Sequence, residues 1–158
     1  MSAATVFIVD DDFAVRDSLA LLLGLKGFRT RTYASAEEFL DNYLPEIPGC
    51  IVLDLRMSGM SGLALQAELV RRRITQPVIV VTAHGDVATT RDALKAGAVD
   101  FIEKPIDDEA LLAAIGVAID RDRNVQQEAA LAAETAARMA QLTERERQVL
   151  DMVADGMH

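Results

Sequence analysis

Strand-like and helix-like runs alternate without a break through roughly the first three quarters of this chain. Few chain folds tolerate that rhythm. "TVFIVD" is a short apolar run ending at Asp10, and "AVRDSLALLLGLKG" repeats apolar residues at helical spacing until Gly27 offers a stop. "FRTRTY" alternates with period two, and Ser35 then forms a capping-box pattern with Glu38 ahead of "EEFLDNYL". "CIVLDL" follows, then Ser61 before the helical "GLALQAELVRRR", then the apolar "PVIVVTA". Asp86 precedes "VATTRDALKAG", "AVDFIE" is the fifth strand, and Asp107 stands as N-cap of a last helix. Five strands alternating with five helices predict a parallel sheet covered on both faces, a doubly wound α/β fold. In such a fold a site lies outside the carboxyl ends of the strands.

That rule selects a few residues. The first strand ends in three successive carboxylates, Asp10, Asp11 and Asp12; the third ends at Asp54, the fourth at Thr82, and Lys104 follows the fifth. Adjacent anions repel and are costly to desolvate, so a compensating charge is expected there. A divalent cation is the simplest one. Mg²⁺ takes one or two carboxylates and keeps several waters, which suits Asp11 and Asp54 with a backbone carbonyl as third protein ligand. Metal, the ammonium of Lys104 and the hydroxyl of Thr82 together describe a holder for the three oxygens of a phosphoryl group. With no base or second nucleophile in view, the acceptor is expected to be a carboxylate.

Composition excludes several functions. The net charge of −9 provides no general attraction to nucleic acid or anionic lipid. The single cysteine, Cys50, has no internal partner and opens an apolar run, which points to packing and a reducing compartment. No basic region precedes the first apolar run, and the longest apolar stretch, 19–25, is too short to span a bilayer. A cytoplasmic protein with no membrane partner is expected. Neither a G-x-G-x-x-G nor a phosphate-loop motif supports nucleotide binding.

Four segments, "VDDDFAVRDSL", "VLDLRMSGMSGL", "VIVVTAHGD" and "KAGAVDFIEKP", resemble the receiver domain of two-component response regulators, in the FixJ-like branch. The resemblance implies a five-stranded sheet of order 2-1-3-4-5 and phosphorylation of an aspartate by a sensor histidine kinase. By position it implies that Asp54 is the phosphoacceptor, that Asp11 binds Mg²⁺ directly, that Asp10 acts through water, and that the backbone carbonyl of Arg56 completes the site. Thr82 and Phe101 correspond to the pair that rearranges on phosphorylation, and Lys104 to the contact with the phosphoryl group. Asp12 is left as a spare acid at the loop edge, and taken alone Asp12 or Asp10 could also cap the helix that follows. A homodimer on phosphorylation and a transcriptional output are further implications.

Two positions depart from the resemblance. Ser58 stands where the family commonly has proline, which frees the loop after Asp54, and Phe101 stands where many relatives have tyrosine, so a switch there works through packing alone. His84 has no second histidine near it and reads as a loop residue. Arg71 to Arg73 end a helix where positive charge offsets the dipole. One rival reading comes from "DDDFA", which also fits an aspartate-nucleophile phosphatase with Asp10 as nucleophile and Asp12 as acid–base. That enzyme needs a further acidic pair at a strand end, whereas "IDDEALL" lies at a helix start.

The expected organisation is a receiver over 1–121, a helical linker over 122–141 and the start of an output domain over 142–158. "DRDRNVQQEAALAAETAARMAQ" has neither Pro nor Gly and should extend the last receiver helix. Val125, Ala129, Ala132, Ala136 and Met139 recur four and three apart, the spacing of a weak helix–helix seam, although with small Ala knobs a solvated rigid spacer fits at least as well. "LTERERQVLDMVADGMH" opens with a capping box of Thr143 and Glu146 and resembles the beginning of a LuxR-type helix-turn-helix domain, truncated at His158. DNA contact is then expected only through the missing remainder of that domain, which would hold the base-reading helix.

Overall fold

The structure, a computed structural model, describes residues 4–44, 46–83 and 87–156, with side chains to Leu142. Its elements run β1 (Thr5–Val9), α1 (Phe13–Leu25), β2 (Arg29–Tyr33), α2 (Ala36–Asn42), β3 (Gly49–Asp54), α3 (Gly62–Arg71), β4 (Val78–Thr82), α4 (Val87–Lys95), β5 (Asp100–Glu103) and α5 (Asp108–Gly156). All strand pairs are parallel and the sheet order is β2-β1-β3-β4-β5. The expected doubly wound sheet is present.

Period-two alternation divides each strand between two cores. Val6, Ile8, Val52, Ile79 and Val81 face one side, where Leu19 and Leu23 of α1 and Leu111, Ile115 and Ile119 of α5 cover them. Phe7, Val9, Ile51, Leu53 and Val80 face the other, under Phe39 of α2, Leu65 and Leu69 of α3 and Ala93 of α4. Phe39 meets Phe7 and Tyr33 edge-on, with centroids 6.1 and 5.2 Å apart. Each such buried side chain stabilises the fold by about 1.5–3 kcal/mol. Cys50 is among them, fully buried as its apolar run suggests. The edge strand β2 is different: Arg29, Arg31 and Thr32 are exposed and only Tyr33 is buried.

Helix starts follow the capping signals. The Ser35 hydroxyl accepts from the Glu38 amide at 3.0 Å and the Glu38 carboxylate accepts from the Ala34 amide at 2.8 Å. Ser61 accepts from Ala64 and Asp107 from Glu109, both at 3.1 Å. Asp86 and His84 lie outside the described residues. Arg71 and Arg72 both grip Glu68, and those bonds hold its partly buried carboxyl down to about 2. Arg73, by contrast, leaves the helix with φ 58°.

Residues 1–123 and 124–158 form two compact units. Within the first, the Asp122 carboxylate on α5 is buried and accepts from the Gly49 amide at 3.0 Å. Gly49 needs its missing Cβ, which would otherwise fall 1.7 Å from the Thr5 carbonyl oxygen. Beyond it, the linker is helical as expected, and every residue over 123–142 is exposed, including the whole expected seam. The helical backbone also continues through Thr143 and Glu146, so the separate helix start expected there does not form. Among the described residues no helix is long and apolar enough to cross a membrane.

Candidate functional site

The parallel registers bring four chain segments to one edge. Asp10 follows β1, and its amide donates to the Tyr33 carbonyl at 3.2 Å. Asp54 ends β3 beside Val81, Thr82 ends β4 beside Glu103, and the Lys104 amide donates to the Thr82 carbonyl at 2.8 Å. Gly62 closes the β3–α3 turn against this edge. A Cβ on it would lie 2.5 Å from the Asp54 carbonyl oxygen and 2.6 Å from the Leu55 Cα, so only glycine permits the approach.

Asp10 and Asp54 are buried, with 3% and 6% exposure. Their charges are shared by one cation: Lys104 Nζ lies 3.0 Å from Asp10 Oδ2 and 3.4 Å from Asp54 Oδ2. Lys104 is followed by a cis peptide to Pro105. The second oxygen of each carboxylate is also engaged, Asp10 Oδ1 by the Asp12 amide at 2.9 Å and Asp54 Oδ1 by the Arg56 amide at 3.1 Å. Burial pushes the Asp54 carboxyl up, opposed by the Arg56 amide and by Lys104 and reinforced by Asp10. Burial disfavours the charge on Lys104, yet the bonds and charges of Asp10 and then Asp54 outweigh it and raise its ammonium. Among the described residues the Lys104 ammonium thus meets two buried carboxylates, with Asp11 exposed beside them.

One carboxylate oxygen from each of Asp10, Asp11 and Asp54 lies within 4.8 Å of the others. Three clustered oxygens, with a single ammonium against them, fit a hard divalent cation such as Mg²⁺. Asp10, Asp11, Asp54 and Lys104 are thus brought together, with additions at Lys104 and Arg16. Lys104 sits on Asp10 as well as Asp54, whereas its sequence position suggested only a phosphoryl contact. Asp12 is the N-cap of α1 and accepts from the Ala14 amide at 2.9 Å, so it is a helix cap as well as a spare acid. Arg16 reaches back to the Asp10 carbonyl at 2.7 Å. Thr82 is fully buried at its strand end, and Phe101, two residues into β5, is partly buried against the α2, α3 and α4 core.

Two contacts carry no signal in the sequence. The Ser58 amide and hydroxyl face Asp11 Oδ2 at 3.1 and 3.5 Å, and the Met60 amide donates to Glu37 Oε1 at 2.7 Å. Both cross between elements far apart in the chain.

A doubly wound sheet with three acids, a threonine and a lysine at its carboxyl edge is the arrangement of a receiver. The family described as response regulator receiver domain matches residues 6–116, and the chain belongs to it. Among its relatives, the transcriptional regulatory protein FixJ of Azorhizobium caulinodans is 45% identical over 152 residues, covering 96% of this chain and 72% of that protein. Nodulation protein W of Bradyrhizobium diazoefficiens is 40% identical over 154 residues, covering 98% of this chain and 68% of the other. The solved structure of response regulator StyR superposes with a TM-score of 0.81 at 42% identity, over 96% of this chain and 77% of that one. FixJ-N superposes at 0.70 with 47% identity, over 76% and 96%. The chain is a two-component response regulator, and the phosphatase reading finds no support.

Proposed function

We propose that Asp54 accepts a phosphoryl group from the phosphohistidine of a sensor histidine kinase. The observation that carries this is the Lys104 ammonium bridging the buried Asp10 and Asp54 carboxylates at 3.0 and 3.4 Å. A phosphoryl on Asp54 adds up to about two negative charges, and Lys104 is already placed to meet them. In the transfer, an Asp54 carboxylate oxygen forms the new P–O bond as the donor's P–N bond breaks, and the histidine nitrogen keeps the electron pair and takes a proton. Asp11, Asp54 and the Arg56 carbonyl would hold Mg²⁺, with Asp10 acting through water. When bound, the ion supplies charge that neutralises the transferring oxygens. Next to these residues a groove of about 390 Å³, lined by Val15, Leu22, Pro105 and Ile106 together with Lys104 and Asp108, offers a seat for the donor domain.

The output follows from the two strand-end neighbours. Thr82 moves toward the phosphoryl oxygens and Phe101 packs inward behind it, which alters the face formed by α4, β5 and the start of α5. A homodimer through that face is the resulting switch, in a cytoplasmic regulator whose only covalent chemistry is on itself. The relatives named transcriptional regulatory proteins support a transcriptional output. Residues 142–158 are then read as the start of a LuxR-type helix-turn-helix.

Mass spectrometry with peptide mapping, after incubation with a small phosphodonor and Mg²⁺, tests the assignment. The adduct is expected on Asp54, absent in Asp54→Asn and retained in Asp12→Asn. An adduct mapped to Asp10 would overturn it.

A further inference from the structure

The loop between β3 and α3 is tied down by two acids that do not belong to it. Asp11, after β1, accepts from the Ser58 amide at 3.1 Å, and Glu37, in the first turn of α2, accepts from the Met60 amide at 2.7 Å. Gly59 lies between these amides with φ 79°, and a Cβ there would sit 3.0 Å from Glu37 Oε1. Glycine lets the loop lie directly against that carboxylate. Glu37 is itself well anchored, because the Ser35–Glu38 capping pair fixes the start of α2. Bonds from its own amide and that of Met60 hold its carboxyl below the usual range, so it stays an acceptor at neutral pH.

Asp11 has greater need of such help than its neighbours. Asp10 and Asp54 are buried and held by Lys104, whereas Asp11 is exposed, and an exposed carboxylate loses rotamer freedom when it takes up an ion. Bonding Oδ2 to a fixed amide restricts the rotation of a carboxylate that has one oxygen in the acid cluster. Partners of this kind orient a ligand, and losing one typically costs about 10–100-fold in metal affinity. A proline at 58 has no amide hydrogen to give.

We propose that Ser58 is a positioning residue for Asp11 and that Glu37, through Met60, fixes the loop on which Ser58 sits. α2, which contributes no chemical group to the site, thereby sets its affinity for a divalent cation. This deepens the reading of Asp11 as a metal ligand and rests on it.

Mg²⁺ titration of the whole chain by calorimetry, without phosphodonor, tests the inference. Ser58→Pro is expected to bind about tenfold more weakly, while Ser58→Ala, which keeps the amide and loses only the 3.5 Å hydroxyl contact, loses far less. Glu37→Ala is expected to weaken binding, and Glu37→Gln, which keeps an accepting oxygen without the charge, to restore it. Ser58→Pro binding as tightly as the parent or more tightly would overturn the proposal. So would Glu37→Gln as weak as Glu37→Ala, since charge alone would then explain the loss. The Glu37 pair decides the matter if Ser58→Pro does not fold. Asp11→Ala separates the two levels: full Mg²⁺ affinity in that variant would remove Asp11 from the ligand set, whereas its loss beside an unaffected Ser58→Pro would reject only the positioning role.

Discussion

Lys104 and Asp10, 94 residues apart in sequence, form a 3.0 Å ion pair in which the aspartate side chain is 4% exposed. Lys104 also lies 3.4 Å from Asp54, so one ammonium offsets two buried carboxylates. Lys104→Met should leave those anions facing each other. A fully buried pair broken this way costs about 3–5 kcal/mol. Lys104 keeps 19% side-chain exposure, and its neighbours retain amide bonds, so about 1–3 kcal/mol is expected here. Urea unfolding at neutral pH without divalent ions measures the loss. An unchanged midpoint would show that solvent already screens the pair.

Gly62→Ala should destabilise the fold by about 1–3 kcal/mol, because the new methyl would press on the backbone of Asp54 and Leu55 rather than on a flexible side chain. Since the displaced backbone carries Asp54, phosphorylation should slow as well. Unfolding curves and phosphodonor kinetics on one preparation test both effects.

Phosphorylation should favour dimers by about 1–3 kcal/mol, the usual size of coupling between two sites. Sedimentation with and without a phosphate mimic reads that shift directly. Phe101→Ala should reduce it more than it reduces phosphorylation, because Phe101 is partly buried against the core and has no hydroxyl to contribute. An equal dimerisation constant in both states would remove the switch from this pair.

Alkaline pH should expose the packing of Cys50. Burial, then the charge of Asp122, pushes its thiol up from 9.0 to about 12. The folded thiol stays neutral while the unfolded one ionises, so the contribution is complete below about pH 9 and is lost as pH rises toward 12. Tyr43, pushed up to about 12 by burial and then by the charges of Asp122 and Glu46, acts in the same direction. Urea midpoints across pH 8–11 should fall more steeply for the parent than for Cys50→Ala, and a thiol reagent should label the protein only on unfolding.

Much of this architecture could be read from local pattern. Alternating runs and capping residues such as Ser35 and Ser61 place the elements, and the carboxyl-end rule gathers Asp10, Asp54, Thr82 and Lys104. Contacts made by irregular loops were not legible. Ser58 to Asp11 and Met60 to Glu37 join segments 47 and 23 residues apart through backbone amides, which every residue but proline possesses. Asp122 was hidden for another reason: within a charged run of a continuing helix nothing marks it from its neighbours, and only the tertiary fold aims it at the Gly49 amide. Thr143 shows the opposite failure, where a good capping pattern was overridden by a helix that simply continued.

The strand β2 closes one side of the sheet with Arg29, Arg31 and Thr32 turned to solvent. An open strand edge is a template on which another chain can pair, and like charges at its rim make that pairing unfavourable. Under the proposed dimer switch this has a particular use. Two copies meeting along β2 would set arginine against arginine, so uncontrolled growth into extended sheets is discouraged. Partnership is left to surfaces that the signal can switch.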